Sequence, residues 1–306
     1  MPRLPLPTRR RILATAAAAF ALGAAAPFRG AAVAQGPRRI VALGGAVTET
    51  LYFLDRGSML VGADTTSSYP AAAEELPRVG YLRAVSAEGV LSLAPDLVIA
   101  EEGAGPADAL DAVSRAGARV ETVPEARDIP GVIAKIARIA ALAGAEAEGA
   151  RLAGEVRARA DALAEAIARR SERPSVLFLM DLREGALLSA GEGTAAKAII
   201  ELAGGENALA GFDGYKPVSA ESVLARDPDV ILMMAHAAER HGGIDALARD
   251  PRLAGLTAVK GGRLVAMDGL KLLGFGPRTP DAAAELARAL HGTDAVPPLG
   301  QPLEAS

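Results

Sequence analysis

Short runs of Val, Ile and Leu alternate along this chain with longer stretches whose apolar residues recur every three to four positions. Brief apolar runs separated by helical-period segments are the pattern of βαβ units and largely parallel sheets. They predict strands at Arg39–Leu43, Leu60–Ala63, Leu97–Ala100 and Arg119–Thr122. A second set follows at Ser175–Met180, Ala186–Ser189, Val230–Met234 and Arg263–Ala266. Between the sets, Ala145–Arg170 contains no proline and is dense in Ala, Glu, Leu and Arg, so it reads as one long helix, with Pro174 stopping it. The predicted fold is α/β. Two Rossmann-like lobes, residues 37–144 and 174–292, are joined by a single helix over 145–171, with a ligand cleft between them and a tail at 293–306.

An internal repeat supports the division into lobes. Ser86-Ala87-Glu88-Gly89-Val90-Leu91 through Pro95-Asp96 matches Ser219-Ala220-Glu221-Ser222-Val223-Leu224 through Pro228-Asp229 without a gap. Each copy reads as an N-cap serine, a short helix, a Pro-Asp turn and a buried strand. Gly80-Tyr81 precedes one copy and Gly214-Tyr215 the other. Two lobes built alike and facing each other bring both tyrosines toward the cleft.

The N-terminus changes the picture of charge. Arg3, Arg9, Arg10 and Arg11 precede an apolar run from Ile12 to Ala26, and small residues lead to Ala32-Val33-Ala34. That is the plan of a signal peptide over residues 1–34, and Thr8-Arg9-Arg10-Arg11-Ile12-Leu13 leaves both the Sec and the twin-arginine routes open. Cleavage removes five arginines and no acid, leaving 28 basic against 37 acidic residues, a net charge of −9. So acidic a protein is poorly suited to nucleic acid or an anionic membrane surface. The chain has no cysteine, which excludes disulfides, thiolate metal sites and lipid attachment through an N-terminal Cys. An exported binder without an anchor is expected in the periplasm.

Several residues are candidates for chemistry. Gly191-Glu192-Gly193-Thr194 follows a short strand and opens a helix, with Asp213 downstream, which imitates a dinucleotide fingerprint and makes an NAD-dependent oxidoreductase the competing class. The alternative for this turn, Gly193 included, is to receive an anionic group on backbone N–H donors. The three histidines, His236, His241 and His291, all lie in the second half, so a zinc or manganese carrier drawing ligands from both lobes is disfavoured. His236 falls at the carboxyl edge of a strand, as a candidate ligand-binding side chain, a pocket wall or a solvated loop residue. Tyr69 beside Pro70 is a candidate rim residue. Arg278, ahead of a helix opened by Thr279 and Pro280, is a candidate for binding an anionic ligand group or for anchoring its loop.

Val79-Gly80-Tyr81-Leu82-Arg83-Ala84-Val85-Ser86-Ala87-Glu88 and Asp64-Thr65-Thr66-Ser67, with the whole span from Arg39 to Pro280, resemble the helical-backbone class of ABC-importer binding proteins, and within it the haem-binding branch. The resemblance implies haem as the transported ligand, Tyr81 as axial ligand to its iron and Arg83 beside the phenolic oxygen. Tyr215 then faces the site from the other lobe. It further implies that Glu88 and Glu221 dock onto an inner-membrane permease, itself driven by an ATPase, and that the protein is a monomer without catalytic activity. A siderophore or corrinoid carrier of the same fold is the nearest alternative. The chemistry is coherent: a phenol titrates near ~10, so binding as phenolate at neutral pH needs the help of ferric iron and a nearby guanidinium. Tyrosinate is also a hard anionic ligand suited to ferric haem.

Overall fold

The computed structural model describes residues 39–183 and 186–305; the leader and its cleavage position lie outside the described residues. Twelve strands among the described residues, β1 (Ile40–Leu43), β2 (Leu60–Ala63), β3 (Gly80–Tyr81), β4 (Ala84–Val85), β5 (Leu97–Glu101), β6 (Arg119–Val123), β7 (Ser175–Arg183), β8 (Ala186–Ala190), β9 (Glu206–Asn207), β10 (Tyr215–Val218), β11 (Val230–Met234) and β12 (Leu264–Met267), alternate with helices. The first lobe holds a fully parallel sheet in the order β2-β1-β5-β6. In the second lobe the order is β10-β8-β7-β11-β12, with β9 also beside β7. There β7, β11 and β12 run parallel, while β8 is antiparallel to both β7 and β10. All eight strands read from the sequence are present, two with matching ends and the others within three residues.

The helix between the lobes runs Glu146–Ala168, about 35 Å long. It buries Gly149, Leu152, Val156, Leu163, Ala166 and Ile167. The preceding helix, Ile129–Ala143, is capped by Asp128, whose carboxylate accepts the Gly131 N–H at 2.7 Å, and ends on Gly144 in the left-handed region. These two helices cross so closely at Gly149 that a Cβ there would lie 2.4 Å from that of Ala140. One core cluster extends from Ile40 and Ile99 of the first sheet, past Leu152 and Leu163 of the connecting helix, to Phe178 and Leu232 of the second. Each lobe adds a smaller cluster of its own.

The two copies of the repeat are built alike down to single hydrogen bonds. Ser86 accepts from the Gly89 N–H at 3.0 Å and Ser219 from the Ser222 N–H at 3.1 Å. Val90 and Val223 are fully buried, one in each lobe's own cluster. Asp96 accepts from the Arg39 N–H at 2.9 Å and Asp229 from the Ser175 N–H at 2.8 Å, so each Pro-Asp turn is pinned at the entrance to its lobe's first strand.

Candidate functional site

Tyr81 is presented by a small hairpin that stands outside the main sheets. β3 and β4 pair only with each other, Gly80 opposite Val85 and Tyr81 opposite Ala84. Gly80 has φ +111°, and a Cβ on it would meet the Ala84 carbonyl oxygen at 2.5 Å, so only glycine permits the turn that sends Tyr81 outward. The hairpin is tied down on both sides. Val79 N–H donates to Ala63, Thr65 N–H to Gly80, Ser86 N–H to Val79 and Val85 N–H to Gly105, all at 2.8–3.1 Å. Behind it, the buried carboxylate of Asp64 accepts from the Gly44 N–H, the Thr66 N–H and the hydroxyls of Thr66 and Ser67, which fixes the loop carrying Thr65. Tyr81 is nonetheless 48% exposed.

Arg83 is exposed and lies over Gly103 in the loop after β5. It is close enough to Tyr215 of the other lobe, as are Glu125 and Arg127, for their charges to act on that phenol. Tyr215 starts β10, packs its ring 6.2 Å from Phe178, and holds its hydroxyl near the Ala196 N–H at the head of the helix Ala195–Leu202. Burial pushes its hydroxyl above the ordinary phenol range, against the pull of that N–H. Arg83 of the first lobe and Tyr215 of the second thus come within reach of each other's charge.

Tyr69 and Arg278 belong to a different place. The Arg278 guanidinium pairs with the buried Glu49 of the helix Gly45–Phe53 at 2.7 Å and lies 3.6 Å from the centre of the Tyr69 ring. The Tyr69 ring also faces Phe53 at 6.4 Å, and its hydroxyl accepts from the Ala305 N–H at 3.4 Å. Of the two roles open to Arg278, the geometry matches loop anchoring. Tyr69, half-buried, is part of this interlobe contact, its ring face under Arg278 and its hydroxyl accepting from Ala305. Burial pushes the Glu49 carboxyl up and Arg278 pulls it back down. A second buried pair, Lys135 with Glu101, sits beside it, and Lys135 also reaches the Gly274 carbonyl at 3.5 Å. The Glu101 carboxyl too is raised by burial, against the pull of Lys135.

The glycine turn does not form a dinucleotide site. β8, which precedes it, is antiparallel to β7, whereas the fingerprint needs a parallel βαβ strand. The Gly191 and Glu192 N–H groups are moreover already bonded to Gly214 and Phe212 carbonyls at 2.8 Å, which also removes them as donors to an anion. Gly193 lies in the left-handed region with open space beside it, just before the N-cap Thr194. His236 is exposed as the second residue of the helix Ala235–Arg240 that follows β11, with Gly269 against its ring. His241 and Asp181 lie 2.9 Å apart, and His291 meets the Ala203 carbonyl at 3.2 Å. Glu88 and Glu221 are exposed in the first turns of their helices.

Two α/β lobes bridged by a helix, with polar and aromatic side chains converging from both, define a solute-binding protein. The Periplasmic binding protein family matches residues 40–269, and the chain belongs to it. Among solved structures, the periplasmic haem-binding protein BhuT in complex with two haems is 41% identical, with a TM-score of 0.79 over 86% of this chain and 100% of that one. The apo form of the periplasmic haem-binding protein RhuT from Roseiflexus sp. RS-1 is 38% identical, with a TM-score of 0.80 over the same shares. A cobalamin-binding protein of Halobacterium salinarum is 30% identical over 264 residues, 84% of this chain and 70% of that protein.

Proposed function

We propose that this chain captures ferric haem in the periplasm and delivers it to an inner-membrane ABC permease powered by its ATPase. The observation that carries the reading is an exposed phenol, Tyr81, held on a hairpin with Arg83 two residues on, itself within charge reach of Tyr215 in the other lobe. In this reading Tyr81 binds iron as phenolate and Arg83 stabilises the negative charge on its oxygen. The macrocycle lies against the cleft walls, and its propionates turn to the polar rim, for which the open turn at Gly193 is a candidate. One protein ligand suits a carrier, since a single bond is broken on release. The protein acts as a monomer, performs no catalysis, and reaches the periplasm on the leader at residues 1–34. Glu88 and Glu221 meet the permease, one from each lobe.

A corrinoid is the second reading, favoured by the cobalamin-binding relative. Such a cargo has no need of a Tyr-x-Arg pair. Titration of the mature protein with hemin, followed by absorption, separates the two. The expected result is a tyrosinate-ligated ferric spectrum that Tyr81→Ala abolishes and that excess cyanocobalamin leaves unchanged. A spectrum of free hemin alone, or displacement by cyanocobalamin, overturns the haem assignment.

A further inference from the structure

Four large apolar side chains are exposed among the described residues: Tyr81, Leu91, Leu224 and Ile244. Single exposed leucines are ordinary on a protein surface and need no partner. Leu91 and Leu224, however, occupy the same position in the two copies of the repeat, at 36% and 43% exposure. Each follows its lobe's exposed glutamate, Glu88 or Glu221, by three residues, a spacing that sets the two side chains next to each other on a helix. Both helices are held rigidly. Val90 and Val223 pin the inward faces, Ser86 and Ser219 cap the starts, and Asp96 and Asp229 fix the turns that follow.

The same charged-and-apolar pair is therefore displayed twice, once per lobe. A surface that reads both copies must itself offer the same recess twice. Resting on the transport reading above, we infer that Leu91 and Leu224 are the apolar anchors of the docking face, each seated in one of two equivalent apolar pockets on the paired membrane subunits of the importer. A basic group beside each pocket meets the neighbouring glutamate. The glutamates supply orientation and encounter rate, and the leucines supply the water-excluding contact that slows departure.

The test uses the haem-loaded mature protein and its own importer, permease with ATPase, in lipid nanodiscs. Leu91→Gln and Leu224→Gln are each expected to weaken binding about tenfold, and together about 100-fold. Their hemin titrations stay as in the unmodified protein, and Ile244→Gln binds the importer normally. If the leucine variants bind within about twofold while Glu88→Gln and Glu221→Gln lose affinity, charge alone docks the protein; the inference is overturned and the transport reading stands. If neither leucines nor glutamates matter, the inference and the docking face fall together.

Discussion

The two Gly-Tyr segments begin from the same dipeptide and end in opposite surroundings. Gly80-Tyr81 lies in a two-stranded hairpin that no other strand flanks, so its phenol projects from the lobe. Gly214-Tyr215 leads into β10, which is stitched to β8 at the edge of the second sheet, so its ring is drawn down onto Phe178. Repetition supplied both lobes with the same cap, helix and turn. Strand pairing then decided which tyrosine stays exposed and which is packed down against its sheet.

The contrast is broken most directly at the hydroxyls. Tyr81→Phe should weaken hemin binding by at least about 100-fold and remove the tyrosinate spectrum, whereas Tyr215→Phe should cost less than about tenfold. Equal losses from the two variants, measured by the same titration, would mean that the lobes share the iron. The glycines sharpen the contrast at a smaller scale. Gly80→Ala should cost about 2–3 kcal/mol, since it combines positive φ with a clash against backbone; Gly214→Ala, at φ +74° with nothing within 4 Å of the new Cβ, should cost about 1 kcal/mol. Urea midpoints at unchanged m-value report both. The smallest effect is one of pH. Folded Tyr215 keeps its proton above the range near ~10 where an unfolded chain releases it, so stability falls as pH rises through that range. Tyr215→Phe should flatten this decline, and alkaline unfolding curves of the two proteins would expose any failure to do so.

The parts of the molecule that obey local rules were legible in the sequence. β2 and β11 fall where their apolar runs predict, because short Val- and Leu-rich segments buried on both faces carry their own signal. The connecting helix, read as Ala145–Arg170 and found as Glu146–Ala168, was marked by composition and by Pro174. Ser86 and Ser219 were readable as caps for the same reason. The repeat singled out Tyr81, but its role, and Arg83 altogether, stood out only through the resemblance of their whole segment to known binding proteins. What escaped reading depends on partners far apart in the chain. Glu49 and Arg278 are separated by 229 residues and Lys135 and Glu101 by 34, and no local period pairs them. Lys135 does carry a faint signal, as a charge whose helical neighbours Val132, Ile136 and Ile139 are all buried. The turn at Gly191–Thr194 could imitate a dinucleotide fingerprint because residue spacing is silent on strand direction, and an antiparallel β8 cannot aim a helix at a dinucleotide.

The contact of Arg278 with Glu49 and Tyr69, together with an apolar interior that runs unbroken through both halves, bears on how a cargo is gained and lost. A hinged trap must surrender freedom each time it shuts, and that loss is subtracted from its grip. On the transport reading proposed above, jaws aligned when the chain folds would make capture resemble pressing an object into a finished mould. Unloading, for the same reason, would fall to whatever engine takes hold of both jaws from outside.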